Sequence, residues 1–181
     1  MVQIHLSSIY ISTFLVLLLA FPARCDLIQK SCSEAITHDK KIVSAVCIDS
    51  LESNPESKHA SNLEELLISL IDPEISNITS IISLITKLIK SGKFMADVLE
   101  DCRGIYVVMR DDLSNALSDF KSTHDYKKLG GDLIYVPRAP TYCEDWYKEA
   151  AGTESPLAKE DKLFLQLALI AIAFTNMAKG T

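Results

Sequence analysis

The residues from 63 to 91 constrain the fold more than any other stretch of this 181-residue chain. Large aliphatic side chains recur there at spacings of four and three, which place them along one face of an α-helix. The row consists of Leu67, Ile71, Ile75, Ile78, Ile82, Ile85 and Ile89. We expect Pro73, inside the row, to kink or split the helix, because proline lacks a backbone donor and clashes with the preceding turn. Ser91-Gly92 is a stop signal, so the segment predicts a long helix packed along one side.

A second helical row runs along one face from residue 94 to residue 120. It consists of Phe94, Val98, Cys102, Ile105, Met109, Leu113, Ala116 and Phe120. Because Cys102 belongs to this row, a disulfide formed by it should lie inside or beside the core. The two rows together predict helices that pack on each other.

The segment from Leu163 to Met177 is apolar nearly all round, with Gln166 as an interruption. Its twelve residues from 163 to 174 are too few to cross a bilayer, which needs about 20 apolar residues. We therefore predict the most buried helix of a bundle here, started by Ser155-Pro156 and stopped by Gly180. No strand alternation appears elsewhere in the chain, so the predicted fold class is all-α.

The stretch from 125 to 151 opposes a continuous helix, because it contains Gly130-Gly131, Pro137 and Pro140. Thr141-x-x-Glu144 is a capping-box signature that could restart a helix. We predict a broken element with an extended or irregular middle. A second irregular segment, Asp49–Ser61, is rich in Ser, Glu and Asn and is predicted to be a linker.

The N-terminal residues predict a secretory signal peptide. Residues 13–20 form a short apolar run, and Ala23-Arg24-Cys25 supplies small residues for cleavage before Asp26. The region before the run has no Lys or Arg. We expect residues 1–25 to be removed, which leaves a single domain from 26 to 181 without a membrane segment.

The cysteine count agrees with secretion. Of five cysteines, Cys25 would leave with the signal peptide, and four remain: Cys32, Cys47, Cys102 and Cys143. An even set in an oxidising route predicts two disulfides, and no Cys-x-x-Cys pair suggests zinc or redox chemistry. Three pairings are open, of which nearest-in-sequence is the simplest. Its two loops would contribute about 3 and 4 kcal/mol to stability.

No pattern in the chain predicts catalysis, a cofactor or a metal site. His38, His59 and His124 are isolated among polar residues, and Asp111-Asp112 and Glu144-Asp145 are adjacent acids that point apart on a helix. Loss of the signal removes Arg24 and no acid, so the net charge moves from −6 to −7, which does not favour nucleic acid. We predict a protein that is not an enzyme and needs no cofactor, with Asn77-Ile78-Thr79 as a glycosylation acceptor.

Several short motifs of the mature chain resemble the plant invertase and pectin methylesterase inhibitor family. They are Asp26–Cys32, Val46-Cys47-Ile48 with Ser50-Leu51, Asp101-Cys102-x-x-x-Tyr106, Asp112-Leu113-x-x-Ala116-Leu117-x-x-Phe120, Asp125-Tyr126, Thr141-x-Cys143-Glu144-Asp145 and Ser155-Pro156-x-x-Lys159-Glu160. The resemblance covers residues 26–179. Within the family the chain is most similar to the invertase-inhibitor branch that includes pollen allergens.

The resemblance implies an up-and-down four-helix bundle over 59–179, preceded by an N-terminal α-hairpin and linker over 26–58. It implies Cys32–Cys47 within the hairpin and Cys102–Cys143 between the second and third bundle helices. It also implies a glycoprotein of the apoplast and cell wall, acting as a monomer in a 1:1 complex. Such a protein would cover the substrate cleft of a carbohydrate enzyme.

Two departures from the family pattern bear on the target. Characterised invertase inhibitors of the family carry Pro-Lys-Phe in the turn before the third bundle helix, where this chain has Tyr126-Lys127-Lys128. The family's Ala/Ser-rich third helix is replaced here by Gly130 to Pro140. We therefore favour pectin methylesterase as the target; invertase is the first alternative and a non-inhibitory binding or structural bundle is the second.

The predicted partner-binding surface lies around the second bundle helix and the turn after it. Its residues are Arg110, Asp111, Asn115, Lys121, Asp125, Tyr126 and Lys127. Tyr126 is the candidate anchor, because aromatic residues dominate interface hot spots. The alternative is that Tyr126 packs against Phe120 and stabilises the end of the helix.

Overall fold

The computed structural model describes residues 27–180, and the predicted signal peptide with Cys25 lies outside them. Helix α1 covers 27–38 of the described chain. The helices that follow are α2 (Ser44–Ser53), α3 (Leu63–Ser91), α4 (Ala96–Thr123), α5 (Tyr126–Leu133), α6 (Arg138–Ala151) and α7 (Ala158–Lys179). A short 3₁₀ helix, Ser57–His59, precedes α3. No strand occurs between residues 27 and 180, so the all-α prediction is confirmed.

The bundle consists of α3, α4, the α5–α6 pair and α7. Each of these packs on the next, and α7 closes the ring against α3. Most of the predicted rows face inward: Leu67, Ile71, Ile78 and Ile85 of α3 are buried, and Phe174 of α7 is fully buried. α7 has ten buried residues among its 22, the highest proportion of these helices, as predicted.

The predicted row on α4 needs one correction. Phe94 lies before the helix, whose N-cap is Met95, and its side chain is 36% exposed. Burial on α4 instead begins at Leu99 and continues through Cys102, Tyr106 and Met109. Helix periodicity cannot place Phe94, because the chain is not helical there.

A kink or a split was expected at Pro73; α3 is one continuous helix there, so the split does not occur. Proline 73 has no N–H for the carbonyl of Ser69, four residues earlier. The side-chain amide of Asn54, just after α2, donates to that carbonyl at 2.6 Å. Beside it, the hydroxyls of Ser57 and Ser69 form a buried hydrogen bond of 2.8 Å. The N-terminal region therefore supplies the hydrogen bond that proline removes.

The predicted linker, Asp49–Ser61, is more ordered than its composition suggests. Residues 49–53 belong to α2, and Ser57–His59 is a 3₁₀ helix with Ser57 only 2% exposed. The reason is the same contact with α3: Asn54 and Ser57 both bond to Ser69. A polar composition is required here because these side chains bond to a buried polar site.

One glutamine of the bundle is hydrogen-bonded to the loop of the N-terminal hairpin. The side chain of Gln166 accepts from the N–H of Val43 at 2.8 Å and donates to the carbonyl of Lys41 at 3.1 Å. Gln166 is the residue that interrupts the apolar segment of α7, and this pair of bonds explains it. Within the hairpin, the disulfide Cys32–Cys47 joins α1 to α2 across a Cα–Cα distance of 5.8 Å.

The chain from 125 to 151 is broken, but its middle is not extended. Residues 134–137 form turns whose bonds run three residues back: Tyr135 N to Asp132 O, Val136 N to Leu133 O and Arg138 N to Tyr135 O. Pro137 has no N–H to donate to the carbonyl of Leu133. That carbonyl accepts instead from the N–H of Val136, three residues along the chain.

Helix α6 starts at Arg138, so the predicted restart at the Thr141 capping box is wrong. Pro140 fits in the first turn of α6, where backbone N–H groups have no intrahelical partner. Thr141 already lies within the helix, and its hydroxyl donates back to the carbonyl of Pro137 at 2.8 Å. The disulfide Cys102–Cys143 joins α6 to α4, which confirms the pairing implied by the resemblance.

Two described helices, α3 and α7, are long and apolar enough to cross a membrane by length and composition alone. Both place their apolar rows against the other helices of the bundle. Their hydropathy therefore fits the core of a helical protein.

Candidate functional site

A groove of about 320 Å³ lies between α4 and α5 and is the first part of the candidate site. Met109, Leu113, Ala116 and Val136 form its apolar base. Its polar walls consist of Asp112, Asn115, Asp119, Lys128, Asp132 and Tyr135. We call these residues the acidic groove.

The acidic groove has an excess of negative charge. Lys128 reaches across it and bonds to Asp119 at 2.8 Å and to Asp132 at 3.3 Å. The hydrogen bond with Asp119, followed by that with Asp132, raises the pKa of the Lys128 ammonium. Three carboxylates and one ammonium line the groove, so an added cation would be favoured there.

An exposed row of large side chains continues from the groove along α6. It consists of Tyr135, Arg138, Tyr142 and Trp146, which we call the aromatic row. The guanidinium of Arg138 lies 4.5 Å from the ring centre of Tyr135. The rings of Tyr142 and Trp146 stack with centroids 5.8 Å apart. Tyr135 is also part of the acidic groove, so the two features form one continuous surface.

Helical spacing explains why this row faces outward. Arg138, Tyr142 and Trp146 are four residues apart on α6, while Ala139, Cys143 and Tyr147 on the other side are buried. Exposed Trp, Tyr and Arg side chains are enriched at interface hot spots. Tyr135, Arg138, Tyr142 and Trp146 were not among the predicted site residues, although the four-residue spacing of Arg138, Tyr142 and Trp146 was a usable signal.

The predicted site residues do not form one patch. Asn115 lies in the acidic groove, and Arg110 bonds to Asp111 at 2.8 Å. Lys121 pairs with Asp72 of α3 at 2.8 Å, so it is engaged within the bundle. Asp125 caps α5 by accepting from the N–H of Lys128 at 2.9 Å. Lys127 is exposed.

Tyr126 packs on the bundle. Its ring meets that of Phe120 edge to face, with the ring centroids 4.9 Å apart. This is the contact expected if Tyr126 stabilises the end of the helix. Its hydroxyl donates to a carboxylate oxygen of Glu64 at the start of α3. Burial and this hydrogen bond raise the pKa of Tyr126 to about 12.

The neighbouring His124 strengthens the same attachment. It ends α4 in the left-handed conformation, with φ of 53°. Its Nδ1 lies 2.8 Å from the other oxygen of Glu64. Thus the turn between α4 and α5 is fixed to α3 by two side chains, although His124 itself is exposed.

Asn77 lies on the exposed side of α3 and its amide donates to Glu74 Oε1 at 2.9 Å. Glycosylation at this position stays a prediction. Between residues 27 and 180 no group of three or more His, Cys, Asp or Glu side chains could hold a metal ion.

Comparison with known proteins agrees with this architecture. Residues 26–174 match the sequence model of the family described as plant invertase/pectin methylesterase inhibitor. The chain is 34% identical over 167 residues to "Pectinesterase inhibitor 12" of Arabidopsis thaliana, covering 91% of this chain and 94% of the relative.

Two further relatives, from Platanus acerifolia and Platanus orientalis, are each named "Putative invertase inhibitor". They are 29% and 28% identical over 90% and 87% of this chain, and 91% and 92% of their own lengths. The match spans nearly the whole helical bundle and both disulfides. The chain therefore belongs to the plant invertase/pectin methylesterase inhibitor family, whose members inhibit enzymes and are not enzymes themselves.

Proposed function

We propose that this chain is a secreted inhibitor that docks over the active-site cleft of a plant pectin methylesterase. Membership of the family supports inhibition of a carbohydrate enzyme. The relative named as a pectinesterase inhibitor supports the choice of target. Secretion is supported by the apolar run of residues 13–20 and by two disulfides, which persist in oxidising compartments.

The fixed turn between α4 and α5 is the observation that carries the preference for pectin methylesterase. In the invertase inhibitors that the chain resembles, this turn carries Pro-Lys-Phe and enters the enzyme's cleft. Here Tyr126 and His124 bind Glu64 and fold the turn back onto α3. A turn held in this way cannot extend without losing both contacts.

The acidic groove and the aromatic row supply the surface for docking. Carboxylates of the groove suit a basic rim around the enzyme's cleft, because opposite potentials steer association and fix register. Tyr135 and Trp146 are rigid aromatic side chains, 48% and 38% exposed, and can serve as anchors. Since both sit on helices or tight turns joined by a disulfide, little ordering is needed on binding.

Inhibition of a cell-wall or vacuolar invertase is the second candidate function. It is favoured by the two relatives named as invertase inhibitors. A non-inhibitory binding bundle is the remaining alternative. The three candidate functions predict the same fold, so only measurements of enzyme inhibition separate them.

The decisive experiment is a titration of the purified protein against a pectin methylesterase and a cell-wall invertase. It should be run at a mildly acidic pH, about 5, where ordinary carboxylates with pKa values near 4 remain mostly ionised. We expect saturable inhibition of pectin methylesterase at a 1:1 ratio and none of invertase. Inhibition of invertase alone would reverse the assignment, and inhibition of neither would leave the non-inhibitory bundle.

The docking surface is tested by substitutions that do not touch the core. Tyr135→Ala should weaken inhibition about thirtyfold, equivalent to about 2 kcal/mol, if Tyr135 is an anchor. Val43→Ala is the matched control, since Val43 is 49% exposed and lies in the loop between α1 and α2. If the two substitutions change inhibition equally, the aromatic row is not part of the docking surface.

Charge reversal tests the acidic groove separately. Asp112→Lys should slow association with a basic partner and make inhibition less sensitive to salt. Asp97→Lys on the same helix is the control, about 22 Å away along the helix axis. If both variants change inhibition alike, the acidic groove has no role in docking.

Secretion is tested on the native protein. N-terminal sequencing should begin at Asp26, and thiol titration in denaturant should find no free cysteine, because Cys25 is removed with the signal. A mass shift on treatment with a glycosidase would show the carbohydrate at Asn77.

A further inference from the structure

Three helices meet at a buried cluster of a tyrosine and two acids. Tyr106 of α4 is fully buried, and its hydroxyl donates to Asp161 Oδ1 on α7. Asp161 is 2% exposed. The carboxyl of Glu144 on α6 lies close enough to Asp161 to interact with its carboxyl. The cluster lies beside the disulfide, since Glu144 follows Cys143 and Tyr106 is one turn from Cys102.

Two carboxyl oxygens of this cluster have no donor. Asp161 Oδ2 and Glu144 Oε1 are both buried, and neither has a hydrogen-bond partner when both acids are ionised. Ionised carboxylates only accept hydrogen bonds, so two of them cannot bond to each other. A single proton between them gives each oxygen a partner and removes one buried charge.

We propose that Glu144 and Asp161 share one proton, and that this proton is a pH-sensitive tie between α6 and α7. Cys102–Cys143 fastens α6 to α4 covalently, whereas no disulfide connects α6 to α7 within residues 27–180. The shared proton thus links the two helices non-covalently, and a rise in pH can remove it. When it leaves, two carboxylates of the cluster face each other and repel.

The other titratable groups that face Asp161 act in opposite directions. Glu160 on α7 adds a negative charge nearby and opposes ionisation, whereas the hydroxyl that Tyr106 donates from α4 favours the ionised carboxylate. Burial first, then Glu144 and Glu160, raise the pKa of Asp161 to about 8. Burial and the charge of Asp161 also raise the pKa of Tyr106 far above its ordinary value, so its hydroxyl stays protonated.

The sign of the pH effect follows from these groups. The unfolded chain releases the Asp161 proton near pH 4, whereas the folded chain keeps it. Between these values the folded state binds more protons, so stability is greatest in acid and falls as pH rises towards 8. The unfolding equilibrium constant should rise about tenfold per pH unit from this group in that window. The fold is therefore most stable under acidic conditions.

Asp161→Asn is the test, because asparagine imitates the protonated acid. Its carbonyl can accept from Tyr106 and its amide can donate to Glu144. We expect urea unfolding midpoints close to wild type at about pH 5 and a smaller fall than wild type by about pH 8. Asp145→Asn is the control on α6, since Asp145 is exposed, and it should keep the wild-type fall. Equal pH dependence in wild type and Asp161→Asn would overturn the proposal.

A measurement on the wild-type protein covers the case in which the variant does not fold. Carbon NMR of the side-chain carboxyls should show Asp161 ionising above about pH 7. Loss of that late titration in Glu144→Gln would support the shared proton. Two carboxyls that both ionise below about pH 5 would show that no proton is shared.

Discussion

Two proline-containing regions meet the same chemical problem and solve it differently. At Pro73 the carbonyl of Ser69 loses its helical donor, yet α3 continues without a break. At Pro137 the carbonyl of Leu133 loses its donor, and the helix ends and restarts as α6. The first carbonyl is satisfied by Asn54, which is 15 residues away in sequence. The second is satisfied by Val136, three residues along the chain.

The difference shows that proline alone does not decide whether a helix breaks. A remote donor allows α3 to stay long, and its length positions Glu64 at one end to hold the α4–α5 turn. A local donor tightens the chain into turns and brings Tyr135 out beside the acidic groove. In this protein the continuous helix supports the fold, and the broken one forms the candidate docking surface.

The largest expected effect comes from removing the disulfide of the broken region. Cys102→Ala with Cys143→Ala should lower the free energy of unfolding by about 4 kcal/mol, because the pair closes a loop of 41 residues. Cys32→Ala with Cys47→Ala should cost about 3 kcal/mol for a loop of 15 residues. Denaturant unfolding of both double variants gives the comparison. A larger loss at the N-terminal hairpin would mean that loop length does not govern the two disulfides.

A smaller loss is expected where the broken region is attached to α3. Tyr126→Ala removes the contact with Phe120 and the bond to Glu64, and should cost about 2 kcal/mol of stability. Inhibition should change little if this packing is the role of Tyr126. Tyr126→Phe keeps the ring and should cost about 1 kcal/mol. Tyr126 is instead an anchor for the target enzyme if Tyr126→Ala weakens inhibition by about 2 kcal/mol while the melting temperature is unchanged.

The donor to α3 can be tested by a double-mutant cycle. Asn54→Ala should cost about 1 to 2 kcal/mol, because it leaves the Ser69 carbonyl without the donor that replaces Pro73. With Pro73→Ala present, the restored N–H can donate to that carbonyl, so the same substitution should cost less. The bond from Glu56 N to Asn54 is lost in both backgrounds and cancels in the cycle. Identical costs in the two backgrounds would falsify the account of why α3 is continuous.

The smallest expected effect concerns local opening of the turn at residues 134–136, which does not change the free energy of unfolding of the whole protein. Amide exchange should be at least about tenfold faster at residues 134–136 than at residues 78–85 of α3. The turn amides are held by bonds three residues back, whereas Ile78 and Ile85 are fully buried in a regular helix. Exchange that is equally slow in both places would show that packing makes the turn as rigid as α3.

Much of the fold could be predicted because aliphatic spacing records which face of a helix is buried. The rows on α3 and α4, the stop at Gly92 and the buried character of α7 all follow from it. Gly92 has φ of 65°, a left-handed conformation that glycine adopts without strain, so the stop signal has a direct physical basis. The pairing of the cysteines needed the family resemblance, since spacing alone left three choices.

The candidate site could be predicted only in part. Asn115 was selected and lies in the acidic groove, but Lys121 and Asp125 are engaged in contacts within the protein. Whether an exposed polar residue is available to a partner depends on which acid or backbone group lies opposite it in the fold. Sequence spacing does not identify that group. Of the aromatic row, Tyr135 could not be predicted, because it lies in a turn and joins the groove only through the fold.

The sequence by itself determined the long helices α3, α4 and α7, most of their buried faces and the family to which the chain belongs. These follow from local periodicity and from motifs whose residues lie close together in the chain. Only the tertiary structure decided that α3 passes through Pro73, that Gln166 fastens the hairpin and that Glu144 meets Asp161. Each of these depends on one polar group meeting another from a distant part of the chain. A buried polar group must find a partner, but its identity is fixed only when the helices pack.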